Sequence, residues 1–159
     1  MNVSPRPLAQ SILGLCLLSL IMALVAQYAF GLAPCTLCYI QRGPFVLGAV
    51  LAALSLRCPD WARGLMLLAG LVLLINGGIA AYHVGVEQHW WTFEICSAAE
   101  PAKLSVADLM AQMEKPVQVR CDQPAWSFHG ITIAGLNVPF SGLLGLITLY
   151  LAYRGGKKT

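Results

Sequence analysis

Charge is what this chain has least of. Only 11% of its 159 residues are Asp, Glu, Lys or Arg, while 58% are hydrophobic. No charged residue falls between Arg6 and Arg42, Arg42 and Arg57, Arg63 and Glu87, or Asp122 and Arg154. A soluble domain of this size could not hide so much apolar surface, so the bilayer is the expected solvent. Membrane lipids are therefore expected partners and nucleic acid is not.

A membrane helix needs about 20 mostly apolar residues, and each charge-free gap can hold one. The expected spans are about 8–30, 38–56, 64–83 and 135–153, with outer loops at 31–37 and 84–134. The fold class is an all-α membrane protein: one four-transmembrane-helix bundle over residues 1–159. Pro44 removes a backbone donor inside the second span. Counted only from Pro44 that helix would be too short to cross, so it should start earlier and bend there. The first apolar run exceeds the 7–15-residue core of a signal peptide, so it is expected to stay as a membrane helix.

Six of the ten basic residues (Arg6, Arg57, Arg63, Arg154, Lys157 and Lys158) lie on one side, near helix ends. By the positive-inside rule that side is cytoplasmic, with both termini inside. The orientation sorts the six cysteines by compartment. Cys35, Cys38, Cys96 and Cys121 fall outside, where disulfides persist. Cys58 falls in the cytoplasmic turn. Cys16 lies within the first span and reads as a small apolar residue.

Cys35-Thr36-Leu37-Cys38 is a CxxC at the mouth of a span, a spacing that lets two thiols close into a disulfide and reopen. Attack on a disulfide requires a thiolate. Arg42 lies at i+4 from Cys38, and the helix start adds its positive dipole end, so the thiolate is expected at Cys38. On position alone Arg42 reads as a headgroup anchor, and the CxxC one turn away favours the functional role instead. Cys96 and Cys121 are separated by 24 residues. Closing a loop of that length stabilises by about 3–4 kcal/mol, so a structural staple is the simplest use of that pair. The CxxC on the same face favours exchange instead. Two further cofactors fit poorly. Tyr39 follows Cys38 where haem attachment needs His. The wide second spacing is unlike the paired motifs of structural zinc, so no metal is expected.

Between the outer cysteines, Ser105-Val106-Ala107-Asp108 resembles a helix start, and Leu104, Leu109, Met110 and Met113 follow at near-helical spacing. The long outer loop is thus expected to carry a short interfacial helix. In the third span, Asn76, Ala80 and His83 share one face, and Gly77 and Gly78 permit close approach. His83 could hydrogen-bond a quinone carbonyl or shuttle protons. Read on that helix alone, it is an interfacial histidine without a ligand. Trp90 and Trp91 look like an aromatic belt.

Pro34-Cys35-Thr36-Leu37-Cys38-Tyr39-Ile40-Gln41-Arg42 resembles the PCxLCxxxR signature of the DsbB disulfide-bond formation proteins. The likeness covers nearly the whole chain: four spans, a first outer loop with CxxC, and a second with one distant cysteine pair. It implies a bacterial inner-membrane thiol oxidoreductase that reoxidises a periplasmic thioredoxin-like, DsbA-like oxidase. Electrons would pass to ubiquinone, or to menaquinone in some conditions. Carried onto this chain, the resemblance implies a Cys96–Cys121 disulfide that meets the partner, with Cys96 the sulfur of the mixed disulfide. Cys121 would exchange with Cys35. Cys38 would face the quinone, held with help from Arg42 and, in approximate register, His83. Cys16 and Cys58 match no essential family cysteine. A monomer is the default. Vitamin K epoxide reductases also place a CxxC in a small helical bundle, but late in the chain. A non-catalytic membrane scaffold with two structural disulfides is the third reading.

Overall fold

Local sequence sets the helix ends. The computed structural model describes residues 5–91 and 120–155. Among them run α1 (Pro5–Tyr28), α2 (Thr36–Arg57), α3 (Ala62–Glu87) and α4 (Ile133–Gly155). All four are long and apolar enough to cross a membrane. A single 3₁₀ turn, Pro59–Trp61, joins α2 to α3. Pro59 opens it with a fixed φ and no N–H to satisfy. Cys96 and the helix expected near 105–113 lie outside the described residues.

The helix ends differ from the charge-based reading by one to four residues, and two of these shifts bear on the site. α2 begins at Thr36, before the expected 38, and Pro44 lies inside it as anticipated. α3 runs on to Glu87, four residues past the expected end at His83. A charge stops a membrane helix only while it needs water, and the Glu87 carboxylate is met by Thr132 from the next element.

Residues 127–132 form an element the sequence reading missed. Two-residue strands β1 (Ser127–Phe128) and β2 (Ile131–Thr132) pair antiparallel. The turn residues His129 and Gly130 both have positive φ, 50° and 80°, which a two-residue hairpin turn needs. Strands this short carry no readable alternation. Thr132 then caps α4 by accepting the Gly135 N–H at 3.0 Å.

The main core packs Ala9, Ile12 and Cys16 of α1 against Phe45, Ala49 and Ala52 of α2 and Met66 and Leu73 of α3. Leu17, Leu18, Ile21 and Met22 on α1, like Leu143, Leu146 and Ile147 on α4, stay exposed, as side chains facing lipid should. The α3–α4 contact is built on small residues, since lipid supplies no hydrophobic drive between helices. A Cβ on Gly77 would meet the Gly142 backbone nitrogen at 3.1 Å. One on Gly145 would meet the Leu74 nitrogen at 2.7 Å and the Gly70 oxygen at 2.8 Å. Gly78 faces open space, so only one of the two glycines marked in the sequence makes the close approach.

Gly145→Val should therefore destabilise the bundle by about 1–3 kcal/mol, because backbone atoms cannot move aside. Gly78→Ala should leave stability level or raise it. Thermal unfolding of both variants in detergent checks the pair, and equal melting temperatures would reject the contact.

Candidate redox site

Two short-range effects place the dithiol. Gly31 (φ 66°) turns the chain after α1. Cys35 is then the N-cap of α2 in extended conformation, and its sulfur accepts the Cys38 backbone N–H at 3.4 Å. A sulfur in that position meets the unsatisfied donors and positive dipole end of a helix. The two sulfurs lie 2.9 Å apart as free thiols. Cys35 is 5% exposed, so the pair sits below the surface.

α3 brings His83 to this pair. Its Nε2 lies 3.5 Å from Cys35 Sγ and its Nδ1 lies 2.9 Å from the Gln41 amide nitrogen. His83 is 3% exposed. The interfacial histidine read from helix 3 alone is thus a buried one that touches sulfur. Helical spacing showed which face His83 shares with Asn76, and only packing shows that this face looks at Cys35.

From His83 a polar chain crosses the bundle. Asn137 Nδ2 donates to Gln41 Oε1 at 2.6 Å, Ser141 Oγ to Asn137 Oδ1 at 2.7 Å, and Asn76 Nδ2 to Ser141 Oγ at 3.0 Å. The chain ends at Asn76 Oδ1, a buried acceptor without a partner among the described residues. In this direction Gln41 offers its amide N–H to His83 Nδ1. The neutral imidazole then carries its proton on Nε2, facing sulfur. Glu87, one turn beyond His83, places Oε1 3.8 Å from the same Nε2. Thr132 Oγ1 donates to its other oxygen at 2.6 Å. Sequence reading passed over Gln41, Asn137 and Glu87. Gln41 stood within the quoted motif, whereas Asn137 and Glu87 carry no spacing signal.

Hydrogen bonds to Cys35 converge. The Cys38 thiol, the His83 imidazole and the Cys38 backbone N–H hold its thiol down at about 4, against burial, which pushes it up. The sequence reading put the thiolate at Cys38 beside Arg42. Instead the Arg42 guanidinium turns to α1, donating to Gln27 Oε1 at 2.8 Å and Ala23 O at 3.4 Å, and lies over the Tyr39 ring at 4.9 Å.

Cys121 completes the group. It is disulfide-bonded and 1% exposed, and it clusters with Cys35, Cys38, Leu37 and Val86. Beside it, the Arg120 guanidinium holds the Asp122 carboxyl below the usual carboxylate range through bonds of 2.9 and 2.6 Å. A cavity of about 20 Å³ is lined by Cys35, Cys38, His83 and Glu87, together with Gln123 and Pro124. Cys35, Cys38 and His83 keep their donor atoms within 4.8 Å of one another, close enough to share a metal ion.

The family described as "Disulfide bond formation protein DsbB" matches residues 5–151. The chain belongs to the DsbB family. It is thus a multi-pass membrane protein of disulfide bond formation. A Disulfide bond formation protein B of Albidiferax ferrireducens is 29% identical over 135 residues, covering 80% of this chain and 76% of the relative. One from Polaromonas naphthalenivorans is 27% identical over 157 residues, covering 95% and 93%. One from Nitrosococcus oceani is 29% identical over 150 residues, covering 89% and 88%. No solved structure shows a significant match.

At neutral pH the reduced pair should carry one negative charge on Cys35, lost as pH falls through about 4. Cys38→Ala removes its largest stabilising contact, so the Cys35 midpoint should rise by roughly two pH units. Thiolate absorbance against pH, corrected with Cys35→Ser, measures this. An unmoved midpoint would show that Cys38 does not hold the charge.

Proposed function

We propose that the protein oxidises a thioredoxin-like, DsbA-like partner on the outer face of a bacterial inner membrane and passes the electron pair to a membrane quinone. One observation carries the reading: two free thiols and the disulfide-bonded Cys121 share one buried cluster at the end of a membrane bundle. The partner dithiol would attack the disulfide that contains Cys121, with Cys96 as the sulfur first joined to the partner. With the Cys35–Cys38 pair oxidised, the released Cys121 thiolate would attack Cys35 and break the Cys35–Cys38 bond, freeing Cys38. The second partner thiol would displace Cys96, Cys96 would take back Cys121 and release Cys35, and Cys35 and Cys38 would close again as the electron pair passes to the quinone. The sum is one partner dithiol plus one quinone giving one partner disulfide plus one quinol. Two electrons and two protons move, and the four cysteines return to their starting state.

The energetics suit a quinone. A DsbA-type oxidant sits near about −120 mV, so its reoxidation needs a stronger acceptor than ordinary thiols provide. His83 would donate its Nε2 proton to the thiolate and steady it. Arg42, one turn along α2 from Cys38, would help hold the quinone headgroup. The sidedness assigned by the basic residues, with both termini cytoplasmic, supports exposure of the cysteines to an oxidising compartment.

Purified protein supplied with ubiquinone and a reduced thioredoxin-like partner should reduce the quinone. Cys38→Ser should lower that rate by roughly three orders of magnitude or more. Cys121→Ser should abolish partner-driven turnover while leaving quinone reduction by a small dithiol that reaches Cys35 directly. Turnover that survives Cys38→Ser would end the proposal. Arg42→Ala should raise the quinone KM about tenfold, the worth of one charge-assisted hydrogen bond. An unchanged KM would make Arg42 a tie between α1 and α2 only.

A further inference from the structure

We propose that the reduced Cys35–Cys38 pair, with His83 and Glu87, forms a site for one soft divalent cation of the zinc class. This donor set differs from the four cysteines weighed in the sequence. It holds two sulfurs, one imidazole nitrogen and one carboxylate oxygen, contributed by the start of α2 and the end of α3.

The spacing is near what a tetrahedral ion requires. Zinc bonds of about 2.3 Å to sulfur and about 2.0 Å to nitrogen or oxygen imply roughly 3.6 Å for S···N, 3.8 Å for S···S and 3.3 Å for N···O. Cys35 Sγ and His83 Nε2 already stand 3.5 Å apart. The sulfurs, at 2.9 Å, would have to part by a little under about 1 Å, a small side-chain rotation. His83 Nε2 and Glu87 Oε1, at 3.8 Å, would close by roughly half an ångström.

The outer contacts match as well. Thr132 occupies only Glu87 Oε2, which leaves Oε1 for an ion. Gln41 sits on His83 Nδ1, and it can present its oxygen there, the acceptor a metal-bound imidazole needs, if the Asn137 amide turns with it. The cavity among these side chains lies beside Gln123 and Pro124, on the loop side of the bundle. Glu87 gives the site its electrostatic reason. A carboxylate whose side chain is only 5% exposed lines the same cavity as the two thiols and stands 3.8 Å from His83 Nε2, and a cation would neutralise the charge that two thiolates add.

Binding is ligand exchange without redox change. Each S–H bond still present breaks and gives its proton to water as two metal–sulfur bonds form. A disulfide offers no thiolate, so only the reduced pair binds. Under the proposed function, a bound ion would hold the pair out of the electron path until it left, making soft metals reversible inhibitors of the reduced protein.

Reduced full-length protein in detergent, titrated with cadmium(II) alone, reports the site by its sulfur-to-metal absorption. The expected result is one equivalent bound, absent from Cys35→Ser/Cys38→Ser and absent after oxidation. Glu87→Gln and His83→Gln should each weaken affinity about tenfold or more, and Thr132→Val by a smaller factor. Unchanged affinity in Glu87→Gln or in His83→Gln would reduce the site to plain dithiol chelation and overturn the proposal. So would identical titrations of wild type and the double serine variant. Glu87→Gln is nearly isosteric and can keep its bond to Thr132, so it remains readable if His83→Gln fails to fold. Quinone reduction is scored separately without metal. A protein that binds cadmium but reduces no quinone would sink the oxidase reading and leave the cation site standing.

Discussion

Inside a bilayer a polar side chain must find its partner within the protein, because no water is there to take its place. In this chain that constraint gathers Gln41, Asn137, Ser141 and Asn76 into one connected set that ends on His83. The set joins α2, α3 and α4. Each such bond between membrane helices is worth only about 0.6 kcal/mol, so its value lies in register rather than strength. A turn of slip along α3 would part His83 from Gln41 and Asn76 from Ser141 and carry the imidazole away from Cys35.

The glycine contacts act with this set. Gly77 on Gly142, and Gly145 on the backbone of Gly70 and Leu74, let α3 and α4 lie close enough for short amide side chains to meet. The α2 start then brings its own chemistry. Because Cys35 is the N-cap, its sulfur gathers donors from Cys38 and from His83, which pull its thiol below the usual range. One imidazole nitrogen thus faces both the Cys35 sulfur at 3.5 Å and a carboxylate oxygen at 3.8 Å. Such a nitrogen can keep a hydrogen-bond partner when the sulfur gives up its charge to a disulfide.

Much of this was legible before any coordinates. Runs free of charge located all four helices, and the CxxC with its flanking residues carried the family resemblance that the family match confirms. The misses have physical causes. The end of α3 was placed at His83 because Glu87 is charged, and nothing in a linear reading shows that Thr132 waits for that carboxylate 45 residues later. The hairpin at 127–132 was missed because its strands are too short to alternate. Arg42 was placed beside Cys38 from helical spacing, which fixes a face but not where a long side chain turns.

The sequence by itself determined the apolar solvent, the number of helices able to cross it and the vicinal dithiol at the start of the second. Those follow from hydropathy, charge and covalent spacing, all local along the chain. Only the tertiary structure decided that the Cys35 sulfur caps α2 within reach of His83, that His83 is buried against it, and that Glu87 and Asn137 belong to the site at all. These depend on how α2, α3 and α4 are set against one another. That setting is fixed by contacts between residues 42 to 96 positions apart, a distance over which no sequence period can speak.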